Sequence, residues 1–221
     1  MFSGIIEAHE KIVKVEPLDQ ALRVWIVKPS HFDDLKIGDS IATNGVCLTL
    51  ETEPIINNTP TMQFTLGAET LKVLNQINPN EWLNKIVNLE RSLRFGDRIH
   101  GHLVSGHVEA MGQVIESSKQ GENWFLNISI PQNIQKFCWS KGSLTVNGVS
   151  LTINDITQLS SLSENLTNTN FHISAEFCLI PETQKRTNLP LLKLGDSVCL
   201  EADYMVKTIF QGVKNGELKN V

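Results

Sequence analysis

Short runs along the chain alternate apolar with polar residues: IVKVEPL (12–18), LRVWIVK (22–28), FLNISI (125–130), SLTVNGVSLTI (143–153), FHISAEFCLI (171–180) and SVCLEA (197–202). A period of two puts alternate side chains on opposite faces of a strand, and the Gly, Pro and Asn residues between runs mark tight connections. The pattern predicts an all-β chain built of two small antiparallel barrels. Helical spacing is scarce, with short helices expected after Pro29 (SHFDDLKI), around Glu69 to Leu74 and after Pro131 (QNIQKFC). The tail differs: Met205, Val206, Ile209, Phe210 and Val213 recur at helical steps and predict a terminal helix with one apolar stripe. Such a stripe suits packing on its own domain or against another subunit.

The two barrels follow from an internal repeat. SIATNGVCLTL (Ser40 to Leu50) and SLTVNGVSLTI (Ser143 to Ile153) agree at six of eleven positions, with Cys47 exchanged for Ser150 inside a shared NGV-x-LT phrase. Trp25 to Pro29 aligns with Asn127 to Pro131, and AETLKVLN (Ala68 to Asn75) aligns with PETQKRTN (Pro181 to Asn188). The same features in the same order indicate a duplicated unit. The offset grows from 103 residues at the NGV phrase to 113 at the Glu-Thr pair, which locates a ten-residue insertion in the second copy. The polar run Thr157 to Asn170 is its expected place, as a lengthened surface hairpin loop.

At 221 residues and 41% hydrophobic content, the chain can bury two cores. A formal charge of −5 argues against nucleic acid as a partner, because phosphate backbones select a basic footprint. The start, MFSGIIEAHEK, carries Glu7 and Glu10 where an export signal needs basic and then apolar residues, and no apolar run is long enough for a membrane span. A cytoplasmic protein is therefore expected, with Cys47, Cys138, Cys178 and Cys199 as free thiols. The Asn-x-Ser/Thr triplets at Asn57, Asn127 and Asn165 are then chance matches.

Two features invite chemistry. On a strand, Cys47 and Thr49 share a face, as do Ser150 and Thr152, so each repeat presents a matched pair of small polar groups. Polar residues on a solvent face are the plain alternative, weakened by the second occurrence. IHGHLVSGH brings His100, His102 and His107 close in sequence, a pattern that suits a metal site, although no H-E-x-x-H accompanies it. Neither nucleotide fingerprint is present. The one tyrosine, Tyr204, lies in ADYM, outside any Arg-x-Tyr-Ser/Thr motif of the kind barrel-type flavin reductases use, which disfavours a bound redox flavin.

Five ordered segments, MFSGIIE, SIATNGVCLTL, NLERSLRFGDRIHGHLVSGHVE, KGSLTVNGVSLTI and LIPETQKRTNL, resemble riboflavin synthase of the alpha-chain type, over a span from Met1 to about Met205. The resemblance implies two tandem Greek-key β-barrels, divided as residues 1–98 and 99–203, a C-terminal oligomerisation helix over 204–221, and a homotrimer. It implies dismutation of two molecules of 6,7-dimethyl-8-ribityllumazine, in which a four-carbon unit passes from one to the other to give riboflavin and 5-amino-6-ribitylamino-2,4-pyrimidinedione. No metal or organic cofactor takes part, and association with lumazine synthase is left open. Two identical substrates need two similar pockets, which a duplicated barrel supplies; in the family, the N-terminal barrel of one subunit faces the C-terminal barrel of its neighbour.

Carried over by motif, the resemblance assigns Ser40, Cys47 and Thr49 to the N-terminal pocket, with Phe2 and His102 beside it. It assigns Lys141, Ser150, Thr152, Ile180 and Thr183 to the other pocket with Asp203 nearby, and adds Gly4, Ile6 and Leu103 as substrate contacts. His102, Cys47, Ser40, Ser150 and Asp203 are the expected chemical groups. His102 is the first candidate for handling a proton, since imidazole titrates near neutrality, and Cys47 a candidate nucleophile toward the acceptor ring. The chain departs from the family in carrying Ser3 for a usual Thr and His100 for a usual Gly, neither of which removes an expected pocket residue. Lumazine proteins, which bind one chromophore without turnover, resemble the same family and supply the non-catalytic alternative.

Overall fold

The computed structural model describes residues 1–75, 81–159 and 171–215. The first half forms β1 (Ala8–Leu18), β2 (Ala21–Val27), β3 (Ser40–Thr43), β4 (Val46–Thr49), β5 (Ile55–Ile56), β6 (Thr59–Gly67), α1 (Ala68–Val73) and β7 (Ile86–Arg91). The second half repeats it with β8 (Ala110–Gln120), β9 (Asn123–Pro131), a single helical turn α2 (Gln132–Gln135), β10 (Ser143–Val146), β11 (Val149–Thr152), β12 (Asp155–Gln158), β13 (Phe171–Leu179), α3 (Pro181–Arg186) and β14 (Ser197–Ala202). The tail is α4 (Tyr204–Lys214).

Each half is a seven-stranded antiparallel sheet, ordered β4-β3-β7-β1-β2-β6-β5 and β11-β10-β14-β8-β9-β13-β12, so the orders correspond strand for strand. The Greek-key crossing comes from β7 and β14, which enter between strands that are earlier in sequence. Chain just past β4 closes the first barrel on β6: the Glu51 N–H donates to the Gln63 carbonyl and the Gln63 N–H to that of Thr52. Past β11, the Asn154 N–H donates to the Glu176 carbonyl of β13. The repeated Asn-Gly pairs make the β3–β4 and β10–β11 hairpins, with Asn44 and Asn147 both at φ +46°, the left-handed turn that twisted hairpins favour.

Alternate positions fill each interior. Val24, Ile26, Ile41, Leu48, Met62, Phe64 and Leu89 centre one core; Ile128, Ile130, Leu144, Leu151, Ala175, Phe177 and Leu200 centre the other. Burying a side chain of this size is worth about 1.5–3 kcal/mol relative to exposure. The cores exchange residues, since Ile6, ahead of the first barrel, is buried in the second core, while Val108, at the matching place ahead of β8, packs on the first.

The expected helices form at α1, α2 and α4, whereas SHFDDLKI does not. That segment is a bent loop anchored by fully buried Phe32, with Asp34 bonded to Arg91 and Asp39 accepting from the Lys36 N–H. The long-range anchors at Phe32 and Asp34 outweigh its local helical pattern. The second copy adds α3, the counterpart of α1. The expected insertion starts inside β12 at Thr157 and Gln158 and otherwise lies largely outside the described residues.

Candidate functional site

The two hairpins build two equivalent faces. In the first, Ser40 lies opposite Thr49 and Ala42 opposite Cys47; in the second, Ser143 lies opposite Thr152 and Thr145 opposite Ser150. Each set of four shares one side of its hairpin, opposite core residues such as Leu48 and Leu151. Cys47 and Ser150 are half-buried at the inner end, and Thr49 and Thr152 are exposed at the outer end. The expected polar pairs are therefore assembled as strand alternation demands.

The faces share a frame but differ in chemistry. Cys47 and Ala42 pack with fully buried Phe2 and with Val104, giving the first face an apolar inner end. At the second, His102 bridges two hydroxyls: Nδ1 lies 2.7 Å from Ser150 Oγ and Nε2 lies 3.1 Å from Thr145 Oγ1. Burial lowers the imidazole pKa from its ordinary value, partly offset by the charge of Asp203, so the ring is neutral around pH 7 and has one donor nitrogen and one acceptor. Within one chain His102 thus belongs to the second barrel's face and not beside the N-terminal pocket. The cause is the connecting segment, which lays His102 against β10 and β11 before crossing toward Cys47.

The remaining expected residues fall into four groups. Gly4 touches the second face through its carbonyl, which accepts the Ser150 N–H at 2.8 Å, and half-buried Leu103 follows His102. Lys141, Thr152 and Ile180 are exposed and Thr183 is half-buried on α3, placing them at a rim. Ile6 is 4% exposed inside the second core, so packing and not ligand contact defines its place. Asp203 caps α4, its Oδ1 accepting from the N–H groups of Met205 at 2.8 Å and Val206 at 3.4 Å.

Several neighbours escaped the sequence reading although the repeat marks them. Ser143 and Thr145 match Ser40 and Ala42, and Gly67 and Thr70 are the first-barrel counterparts of Ile180 and Thr183. Glu90 and Glu201 hold equivalent places in NLER and CLEA, and both are almost wholly buried. A cavity of about 1000 Å³, lined by Ile5, Glu7, His31, Arg91, Arg94 and His100 among others, reaches Ser40 but neither Cys47 nor His102. The outer ends of the matched faces, at Thr49 and Thr152, are exposed in the single chain.

The three clustered histidines diverge. His100 and His107 are exposed while His102 turns inward to its hydroxyls. Among the described residues no group of His, Cys, Asp and Glu is arranged to hold a metal ion. All four cysteines are free, and burial pushes the Cys138 and Cys199 thiols up to about 12. No helix among the described residues is long and apolar enough to cross a membrane.

Residues 3–92 and 105–203 each match the lumazine binding domain family. The chain is 36% identical over 214 residues to riboflavin synthase of Mycobacterium tuberculosis (strain ATCC 25618 / H37Rv), covering 95% of this chain and 96% of that protein. It is 32% identical over 222 residues to riboflavin synthase of Escherichia coli (strain K12), covering 97% and 92%. Among solved structures, the protein LumP complexed with riboflavin superposes with a TM-score of 0.73 at 22% identity, over 91% of this chain and 99% of that one. LumP complexed with 6,7-dimethyl-8-(1'-D-ribityl) lumazine gives 0.71 at 20% identity over the same shares.

Proposed function

We propose, from the premise that this chain belongs to the lumazine-binding domain family, that it is a riboflavin synthase. It takes two molecules of 6,7-dimethyl-8-ribityllumazine and moves a four-carbon unit from one to the other, releasing riboflavin and 5-amino-6-ribitylamino-2,4-pyrimidinedione without a cofactor. The observation that carries this reading is the pair of matched faces with unlike inner ends: hydroxyl, imidazole and hydroxyl on one, thiol and aromatic ring on the other. Like faces suit like substrates, and unlike inner ends suit a donor and an acceptor.

The donor must lose a proton from its 7-methyl group, and the reading has the neutral, half-buried imidazole bonded to Ser150 take it through the serine hydroxyl. Proton transfer of this kind contributes about 10²- to 10⁴-fold. Holding two flat rings in register contributes more, about 7–11 kcal/mol of the barrier. The acceptor is assigned to the first face, where half-buried Cys47 stands over the fully buried Phe2. Asp203 has one oxygen committed to the cap of α4, which leaves the other for a ribityl hydroxyl.

Because the outer ends of both faces are exposed in one chain, the reading has the first barrel of one copy close over the second barrel of another. A homotrimer accommodates that arrangement, with the exposed Met205, Ile209 and Val213 of α4 as its apolar seam. The cytoplasm is the proposed location. The deciding experiment incubates purified protein with 6,7-dimethyl-8-ribityllumazine alone, with chelator present. Riboflavin's absorbance and fluorescence should appear. Tight binding with no change of colour would instead establish a chromophore-binding protein.

A further inference from the structure

Two carboxylates that no proton-transfer step uses are buried at equivalent places, Glu90 on β7 at 3% exposure and Glu201 on β14 at 1%. Neither forms a salt bridge among the described residues; backbone and hydroxyl donors surround them instead. Glu90 Oε1 accepts from the Ser3 N–H at 2.7 Å and the Ser3 hydroxyl at 2.9 Å, and Oε2 accepts from the Gly4 N–H at 3.0 Å. Glu201 Oε1 accepts from the Ser105 N–H at 2.7 Å and the Ser105 hydroxyl at 2.6 Å, and Oε2 from the N–H groups of Gly106 at 3.0 Å and His107 at 3.1 Å. A buried charge is costly unless hydrogen bonds satisfy it. In each case both carboxylate oxygens accept from these donors, and a glutamine amide would put a donor group where one of those acceptors stands.

The held turns then cross over. The Gly4 carbonyl accepts the Ser150 N–H of the second barrel at 2.8 Å, and the Gly106 carbonyl accepts the Cys47 N–H of the first barrel at 2.8 Å. The turns also bond to each other, Phe2 with Val104, through N–H to carbonyl contacts of 2.8 and 3.0 Å. The fit is tight. Gly4 and Gly106 sit at φ +73° and +82°, and a Cβ on either would stand 2.6 Å from the Cβ of Ser150 or of Cys47.

We infer that Glu90 and Glu201 are positioning residues that act reciprocally, each carboxylate of one barrel fixing the pocket residue of the other through a Ser-Gly turn. Glu90 sets Ser150 and hence the ring of His102; Glu201 sets Cys47. The two faces are thereby built to one tolerance, as a reaction between two bound rings requires. The inference rests on the assignment of Ser150 and Cys47 to the substrate pockets.

The test reads each pocket without turnover. In the intact protein, Glu201→Gln is expected to speed alkylation of Cys47 roughly tenfold, the change that losing one charge-assisted hydrogen bond would give. The His102 titration followed by NMR should stay where it is. Glu90→Gln is expected to move the His102 titration upward toward ordinary imidazole and leave the Cys47 rate unchanged. Cys178 serves as the reference thiol, because burial keeps Cys138 and Cys199 protonated. With lumazine, both variants should lower kcat roughly tenfold with KM little changed. Should either glutamine variant fail to fold, Ser3→Ala and Ser105→Ala remove one donor from each turn and carry the same expectations. Perturbation confined to the variant's own barrel, equal perturbation of both pockets, or no perturbation in folded protein overturns the inference. A wild-type chain that makes no riboflavin overturns the proposed function instead and leaves the thiol and imidazole readings valid.

Discussion

His102 and Ser150 are hydrogen-bonded at 2.7 Å across 48 residues of sequence, with the imidazole Nδ1 against the serine Oγ. The contact joins the segment between the barrels to the hairpin of the second, and Thr145 holds the opposite side of the ring. An imidazole so enclosed has both its orientation and its protonation fixed by neighbours. Its pKa lies below the ordinary value because burial disfavours the cation more than Asp203 favours it.

That relationship predicts the pH profile of turnover. If His102 takes the proton as the neutral base, kcat falls on the acid side with an apparent pKa below the ordinary imidazole value near 6.5. His102→Gln keeps a side chain able to bond Ser150 but unable to titrate. It should lower kcat about 10²- to 10⁴-fold, abolish the acid limb and leave lumazine affinity nearly intact. Stopped-flow rates and equilibrium ligand fluorescence across pH check the split. Equal losses in rate and affinity would make the ring a scaffold.

Glu90 predicts a stability slope of definite sign. Burial pushes its carboxyl up to about 7, opposed by hydrogen bonds from Ser3 and Gly4 and reinforced by nearby Glu7. With a folded pKa above the unfolded one, the folded state holds the proton more tightly. The group's favourable contribution is complete below about pH 4.5 and is lost as pH rises to about 7. The full effect is on the order of 3 kcal/mol. In urea denaturation, wild type should lose stability relative to Glu90→Gln between pH 5 and pH 8; parallel curves would contradict the shift.

Gly106→Ala tests the tightness of the crossing turn. A left-handed φ costs an alanine about 1–2 kcal/mol, and its Cβ would lie 2.6 Å from that of Cys47 and 2.9 Å from the Phe2 ring. Overpacking adds about 1–3 kcal/mol. A total loss of roughly 2–5 kcal/mol in denaturation free energy is expected. Stability within 1 kcal/mol of wild type would show that the turn relaxes freely.

What the sequence revealed follows the range of the forces involved. Asn44-Gly45 and Asn147-Gly148 encode their hairpins locally, so the faces carrying Cys47 and Ser150 were legible. Repetition doubled that signal. The loop at Phe32 was misread as helix because its fold is dictated by Arg91, far along the chain. The exchange of Ile6 and Val108 between cores was illegible for a different reason: two copies of one segment fit two copies of one barrel equally well, and pattern alone cannot say which pairs with which. Which barrel His102 lies against within one chain was hidden by the same ambiguity.

The terminal helix makes the last prediction. Phe210 anchors α4 to its own barrel by an edge-to-face contact with Phe137, ring centres 5.3 Å apart. Met205 and Ile209, four residues apart, remain 52% and 49% exposed. Neighbours at that spacing form one stripe, and water-exposed apolar area of this kind is stabilised when another copy covers it. Met205→Glu together with Ile209→Glu should leave each barrel folded, since neither side chain enters a core. Like charges on the seam should shift sedimentation from an assembly toward a single chain. If pockets close only between copies, riboflavin formation should fall with the assembled fraction and recover as protein concentration is raised. A variant that sediments as a single chain yet turns over at the wild-type rate at every concentration would show that one chain suffices, and would place both lumazines within it.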